Sequence, residues 1–135
     1  MDYKFTKAER LNSMLTIDKL FAGGNASTVA FPLRIVYMVV EDEKTDTADY
    51  TEPPVSVLVS VPKKRFRHAV DRNRMKRLVR EAYRLNKRIL WNALRDKDYR
   101  VAVAFVCITD QLPTFKTVNK SIAKALTQIS ERLNK

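Results

Sequence analysis

Apolar residues recur along the chain first with a helical period, then with the two-residue period of strands, then with each in turn, and so outline the elements of one domain. Met14, Ile17, Leu20 and Phe21 follow the helical period behind Ser13, a good capping residue. Gly23-Gly24 supply a stop, which predicts a short helix from Ser13 through Phe21. From Phe31 to Val40 the run is β-branched and aromatic, with Pro32 suited to the start or edge of a strand. That strand is expected to pair with Val55–Val61 across Glu41–Pro54, an acidic stretch ending in Pro53-Pro54 that reads as a flexible, solvated loop. A long helical pattern runs from Asp71 to Leu94, and a strand from Tyr99 to Ile108 follows. Gln111-Leu112-Pro113-Thr114 introduces a last helix, with Val118, Ile122, Ala125, Ile129 and Leu133 on one face. The expected fold class is α/β, an α+β sandwich. In it a small, mostly antiparallel sheet packs with three helices in the order α-β-β-β-α-β-α. For 135 residues a single domain over 1–135 is expected.

The central helix has two sides. At about 100° per residue, with Met75 at zero, Leu78, Val79, Ala82, Leu85 and Ile89 fall within about 80° of it and form the expected core side. Asn73, Lys76, Arg77, Arg80, Arg84, Lys87 and Arg88 gather at roughly 100–220°, the expected outer side. Asp71 sits where a helix cap would, and reads as that rather than as a catalytic acid.

Charge sharpens this picture. The formal net charge is +11, and residues 63–88 alone carry +10, with twelve Lys and Arg against only Asp71 and Glu81. An ordinary solvated helix face mixes signs. Here Lys76 with Arg80, Arg80 with Arg84, and Arg84 with Arg88 are like charges at i,i+4, which repel by about 0.2–0.5 kcal/mol per pair. A stripe that costs stability calls for a polyanionic partner, and arginine's planar fork suits phosphate. The free N–H groups of the helix N-terminus, near Arg72 and Arg74, add to the attraction.

Other chemistries find little support. Cys107 is the only cysteine and lies in an apolar run, so it reads as a core residue, and His68 lacks any zinc-site spacing. The only glycines, Gly23 and Gly24, exclude a phosphate-binding P-loop, and no set of paired carboxylates or nucleophile with base stands out. The start Met1-Asp2-Tyr3-Lys4-Phe5 does not read as an export signal, and Val101–Ile108 is far short of a membrane span. A cytoplasmic protein without membrane association is expected.

The segment Arg72-Asn73-Arg74-Met75-Lys76-Arg77-Leu78-Val79-Arg80-Glu81-Ala82-Tyr83-Arg84 closely resembles the signature RNR helix of the bacterial ribonuclease P protein component. The resemblance extends upstream through Ser60-Val61-Pro62-Lys63-Lys64 and Ala69, and downstream through Asp98-Tyr99 and the apolar strand to the final helix. Arg10-Leu11 and Leu20-Phe21 fit more loosely. The chain departs from the family pattern at Ile17, where an aromatic residue is usual, and at Leu58, where a strand glycine is common.

The resemblance implies a protein subunit of a ribozyme that removes the 5′ leader of precursor tRNA, with the RNA subunit performing hydrolysis and holding most of the magnesium. It implies two partners, the ribonuclease P RNA and precursor tRNA, and no obligate protein partner. It also implies a left-handed strand-helix-strand crossover, against the usual hand. Carried over by residue, Arg72, Asn73, Arg74, Lys76, Arg77, Arg80 and Arg84 would contact the RNA subunit, with Lys63, Lys64 and Arg65 beside them. Arg10, Ile17, Phe21, Arg34 and Val36 would line a cleft for the single-stranded leader, although Phe21 equally suits the core. Strand alternation separates Arg34 and Val36 from Leu33, Ile35 and Tyr37 without saying which face is open. Two other classes stand beside this one: a ribosomal or other structured-RNA binding module with no role in cleavage, and a self-sufficient nuclease, which the lack of a carboxylate cluster opposes.

Overall fold

The run Arg-Val-Ala-Val-Ala-Phe-Val-Cys at 100–107 alternates large and small apolar residues, and the strand it forms sits inside the sheet with both faces covered. The computed structural model describes residues 9–11, 14–23, 25–40 and 53–134. In chain order they form α1 (Met14–Phe21), β1 (Ala26–Ala30), β2 (Leu33–Val40), β3 (Val55–Ser60), α2 (Ala69–Asn86), α3 (Arg88–Leu94), β4 (Arg100–Cys107) and α4 (Phe115–Leu133). The sheet order is β1-β2-β4-β3, with β1–β2 and β2–β4 antiparallel and β3–β4 parallel. The class is therefore the expected mixed one, with a mostly antiparallel sheet.

Several local expectations need correction. β2 does not pair with β3: β4 lies between them and takes all eight residues of β2 as partners, Leu33 with Cys107 through Val40 with Arg100. Alternation along a strand fixes which face each side chain shows but not which strand its amides meet. The helix expected over 71–94 begins at Ala69 and is divided at Lys87, so there are four helices among the described residues. His68 is the cap residue, without a side-chain bond, and its carbonyl accepts from Asp71 and Arg72 N–H at 3.1 and 3.2 Å. Asp71 is thus a first-turn residue, where its charge suits the helix dipole, and not the cap. Residues 41–52 of the acidic loop and Ser13 lie outside the described residues. The end of that loop is fastened: Val101 N–H donates to Pro54 O at 3.0 Å and Arg100 Nε to Pro53 O at 3.1 Å.

The two faces of the sheet carry separate cores. On one, Leu33, Ile35, Tyr37, Val57, Val103 and Phe105 pack with Met75, Val79, Ala82 and Tyr83 of α2 and Val118, Ile122, Leu126 and Ile129 of α4. On the other, Val36, Ala102 and Ala104 meet Leu11 and Leu20, with Ile17 and Leu58 partly buried against them. The alanines of β4 leave room there for α1. Ile17 and Leu58, the two departures from the family pattern, therefore belong to one cluster.

α2 is held by its inward residues. Met75, Val79, Ala82 and Tyr83 are fully buried, and each large one contributes roughly 1.5–3 kcal/mol. That outweighs the few tenths of a kcal/mol lost per like-charge pair outside. The buried arc is turned toward Tyr83, so Leu85, expected in the core, is 45% exposed. Thr114 Oγ1 caps α4 by accepting from Thr117 N–H at 3.3 Å. The α2–α3 connection leads from β3 to its parallel neighbour β4, a strand-helix-strand crossover.

Candidate nucleic-acid interface

Because the apolar arc of α2 is turned into the core, its cationic arc is turned out. Asn73, Arg77, Arg80 and Arg84 line one shallow depression of about 370 Å³, with Glu81 among them. Asn73, Arg74 and Arg77 are exposed, while Lys76, Arg80 and Arg84 are half-buried. Arg84 grips Glu81 through two guanidinium nitrogens, the Nε–Oε2 distance being 3.0 Å. That bond holds the Glu81 carboxyl below, and the Arg84 guanidinium above, their ordinary pKa values. Arg80 is shifted down, first by burial and then by the charge of Arg10. Cations thus outnumber the single carboxylate around the depression.

The first arginine of the signature has a different task. Arg72 Nη1 donates to the carbonyls of Phe66 and Arg67 at 2.9 and 3.0 Å, which ties the loop before α2 to its first turn. That loop carries Lys63 and Lys64, both exposed, and Arg65, half-buried and paired with Asp110 at 3.3 Å. Lys87, assigned by pattern to the outer stripe, is only 4% exposed. Its Nζ meets Glu9 Oε1 at 3.0 Å and lies 4.6 Å from the centre of the Trp91 ring. Because α2 ends at Asn86, the angular count that places Lys87 outside fails at that residue.

A second concavity lies on the face of the sheet away from α2 and α4. Leu20, Phe21, Gly23, Asn25, Ser27, Arg34, Val36 and Val106 line a groove of about 330 Å³. This settles which face of β2 is open: Leu33, Ile35 and Tyr37 are in the core, whereas Arg34 is exposed beside the groove. Phe21 is 48% exposed, so it belongs to the groove wall and not to the core. The end of α1 is shaped for this. Gly23 takes a positive φ of 98°, and Asn25 Nδ2 donates to the carbonyls of Lys19 and Leu20 at 2.7 and 2.9 Å. Of the five residues expected in a cleft, Phe21, Arg34 and Val36 come together here. Ile17 packs beside them in the α1 cluster. Arg10 does not join them: it forms a parallel bridge with Val57 at the outer edge of β3, near Arg80. Asn25, Ser27 and Val106 were not identified from sequence; the Gly-Gly-Asn that follows Phe21 was the available signal.

Neither concavity fits a magnesium ion held by protein. Such an ion needs several oxygen donors, and the depression on α2 offers one carboxylate, already engaged by Arg84 among other cations. Cys107 is buried, which pushes its thiol pKa up, and it belongs to the core.

The architecture and its surfaces define a class of small α+β protein: one sheet face sealed by helices, the other grooved, and one helix outwardly cationic. The family model described as Ribonuclease P matches residues 5–130. A ribonuclease P protein component from Porphyromonas gingivalis is 44% identical over 128 residues, covering 95% of this chain and 88% of the relative. Another, from Chlorobium phaeobacteroides, is 31% identical over 131 residues, covering 91% and 86%. The RNase P protein of Staphylococcus aureus shares the fold, with a TM-score of 0.62 at 17% identity, over 91% of this chain and 96% of that one. The chain belongs to the ribonuclease P protein family.

Proposed function

We propose that this protein binds the ribonuclease P RNA through the outer face of α2 and the 5′ leader of precursor tRNA through the groove beside α1. In doing so it supports magnesium-dependent endonucleolytic removal of that leader in the cytoplasm. The RNA carries the catalysis and holds the magnesium, and the protein alone does not cleave. The observation that carries this reading is the stripe of cations on α2, kept together at a cost in self-repulsion and facing outward around a single carboxylate. Phosphates laid along such a face release counterions, so binding strengthens as salt falls. The groove combines a half-exposed aromatic ring with a guanidinium, the pairing that grips single strands by stacking and charge.

The test is reconstitution. Protein added to a ribonuclease P RNA at low magnesium is expected to raise cleavage of precursor tRNA. RNA binding without any gain in cleavage would instead mark a structured-RNA binder with no part in processing. Cleavage by protein alone, free of contaminating nuclease, would mark a nuclease in its own right.

A further inference from the structure

Three consecutive residues near the N-terminus reach three different parts of the fold. Glu9, 1% exposed, meets Lys87 at the end of α2, at 3.0 Å. Arg10 bridges to Val57 along the outer edge of β3, where Leu11 N–H donates to Val57 O at 2.9 Å. Leu11 then enters the cluster beneath α1, with Leu20 and Val36. The segment therefore wraps the sheet edge from the α2 side to the α1 side. Lys87 is braced in turn: it lies over the Trp91 ring, and Trp91 Nε1 donates to the buried Tyr83 hydroxyl at 3.0 Å.

Lys87 closes the C-terminal end of α2, the helix that carries Arg80. A segment clipped to Lys87 therefore brings its next cation beside that helix. Arg10 is exposed, and its charge reaches Arg80. Two guanidinium groups from segments 70 residues apart are held near each other, although the charge of Arg10 disfavours that of Arg80. A buried ion pair is a costly way to gain stability and a good way to fix a register.

We infer that Arg10 is an RNA-phosphate contact continuous with the α2 face, and that the Glu9–Lys87 pair is the positioning device that holds it there. The binding surface is then composite, with one cation supplied by the N-terminal segment. This inference rests on the proposed role of α2, and the experiment separates the two. The full-length protein and its variants are titrated with a ribonuclease P RNA transcript across a range of salt, with a thermal melt of each.

Arg10→Gln and Arg80→Gln are each expected to reduce the slope of log affinity against log salt by about 0.7–0.9, with an unchanged melt. Glu9→Gln, which leaves Arg10 charged, should move the slope toward that of Arg10→Gln, and Glu9→Asp should restore part of it. A purely structural Glu9 would lower the melting temperature and leave the slope alone, which would overturn the positioning role. An unchanged slope in Arg10→Gln beside a reduced one in Arg80→Gln would overturn the contact and leave the role of α2 intact. Unchanged slopes in both would instead remove the reading of α2 itself.

Discussion

On one side of the sheet Leu33, Ile35 and Tyr37 vanish into a core with α2 and α4, while on the other Val36 is covered only by α1 and Leu11 and Arg34 stays exposed. The two proposed binding surfaces inherit this difference. α2 owes its place to a sealed apolar face, so its opposite face can collect cations that do nothing for stability. The groove beside α1 rests on the thinner cluster, and on the proposed reading the same residues there both support the fold and meet a ligand. Substitutions on the outside of α2 should therefore alter binding alone, whereas those around the groove should alter both.

The largest effect that would sharpen this contrast lies inside α2. Met75→Ala should destabilise the protein by about 2–5 kcal/mol in urea unfolding, because a fully buried side chain leaves a cavity. Next is the groove. Phe21→Ala should weaken binding of leader-bearing precursor tRNA to the reconstituted holoenzyme by about 1–3 kcal/mol, the cost of losing a stacking platform, and leave tRNA without a leader unaffected. A similar loss for both substrates would assign Phe21 to the fold.

Smaller changes are expected on the outer face of α2. Arg74→Ala should alter urea stability by less than about 0.5 kcal/mol. It should also lower the salt slope of RNA binding by about 0.7–0.9. The smallest effect belongs to Glu81→Gln, which removes the carboxylate charge beside Arg84 and should tighten RNA binding modestly in the same titration. The Glu81 carboxyl has a pKa below its ordinary value, held down by Arg84. Whatever stability the pair gives is present above the unfolded carboxyl's pKa and lost as pH falls through the lower folded value. Near neutral pH the pair stays intact, so the effect of Glu81→Gln should not vary with pH there. Strong variation would point to another group.

Much of α2 was legible because its information is local: a helical period separates Met75, Val79 and Ala82 from Asn73, Arg77, Arg80 and Arg84. The strand at 100–107 and the face of α4 were readable on the same grounds. What failed was long-range. The partner of β2 depends on amides that pattern does not describe, and the break in the helix at Lys87 has no glycine or proline to announce it. Lys87 there meets Glu9, 78 residues away, a contact that no local pattern describes. Arg72 reads as one more contact in the signature, yet its guanidinium is bound to two carbonyls of the preceding loop. The groove was visible only through the family resemblance, and its lining, which includes Asn25 and Val106 and not Arg10, follows from the fold.

The most direct measurement compares holoenzymes reconstituted with wild-type, Phe21→Ala and Arg74→Ala protein for their affinity toward precursor tRNA with and without its leader. If the helix serves the catalytic RNA and the groove serves the leader, Phe21→Ala abolishes the preference for the leader. Arg74→Ala keeps that preference but joins the RNA subunit more weakly, with a shallower dependence on salt. Retention of the preference in Phe21→Ala, or its loss in Arg74→Ala with unchanged affinity for the RNA subunit, would contradict the division of labour.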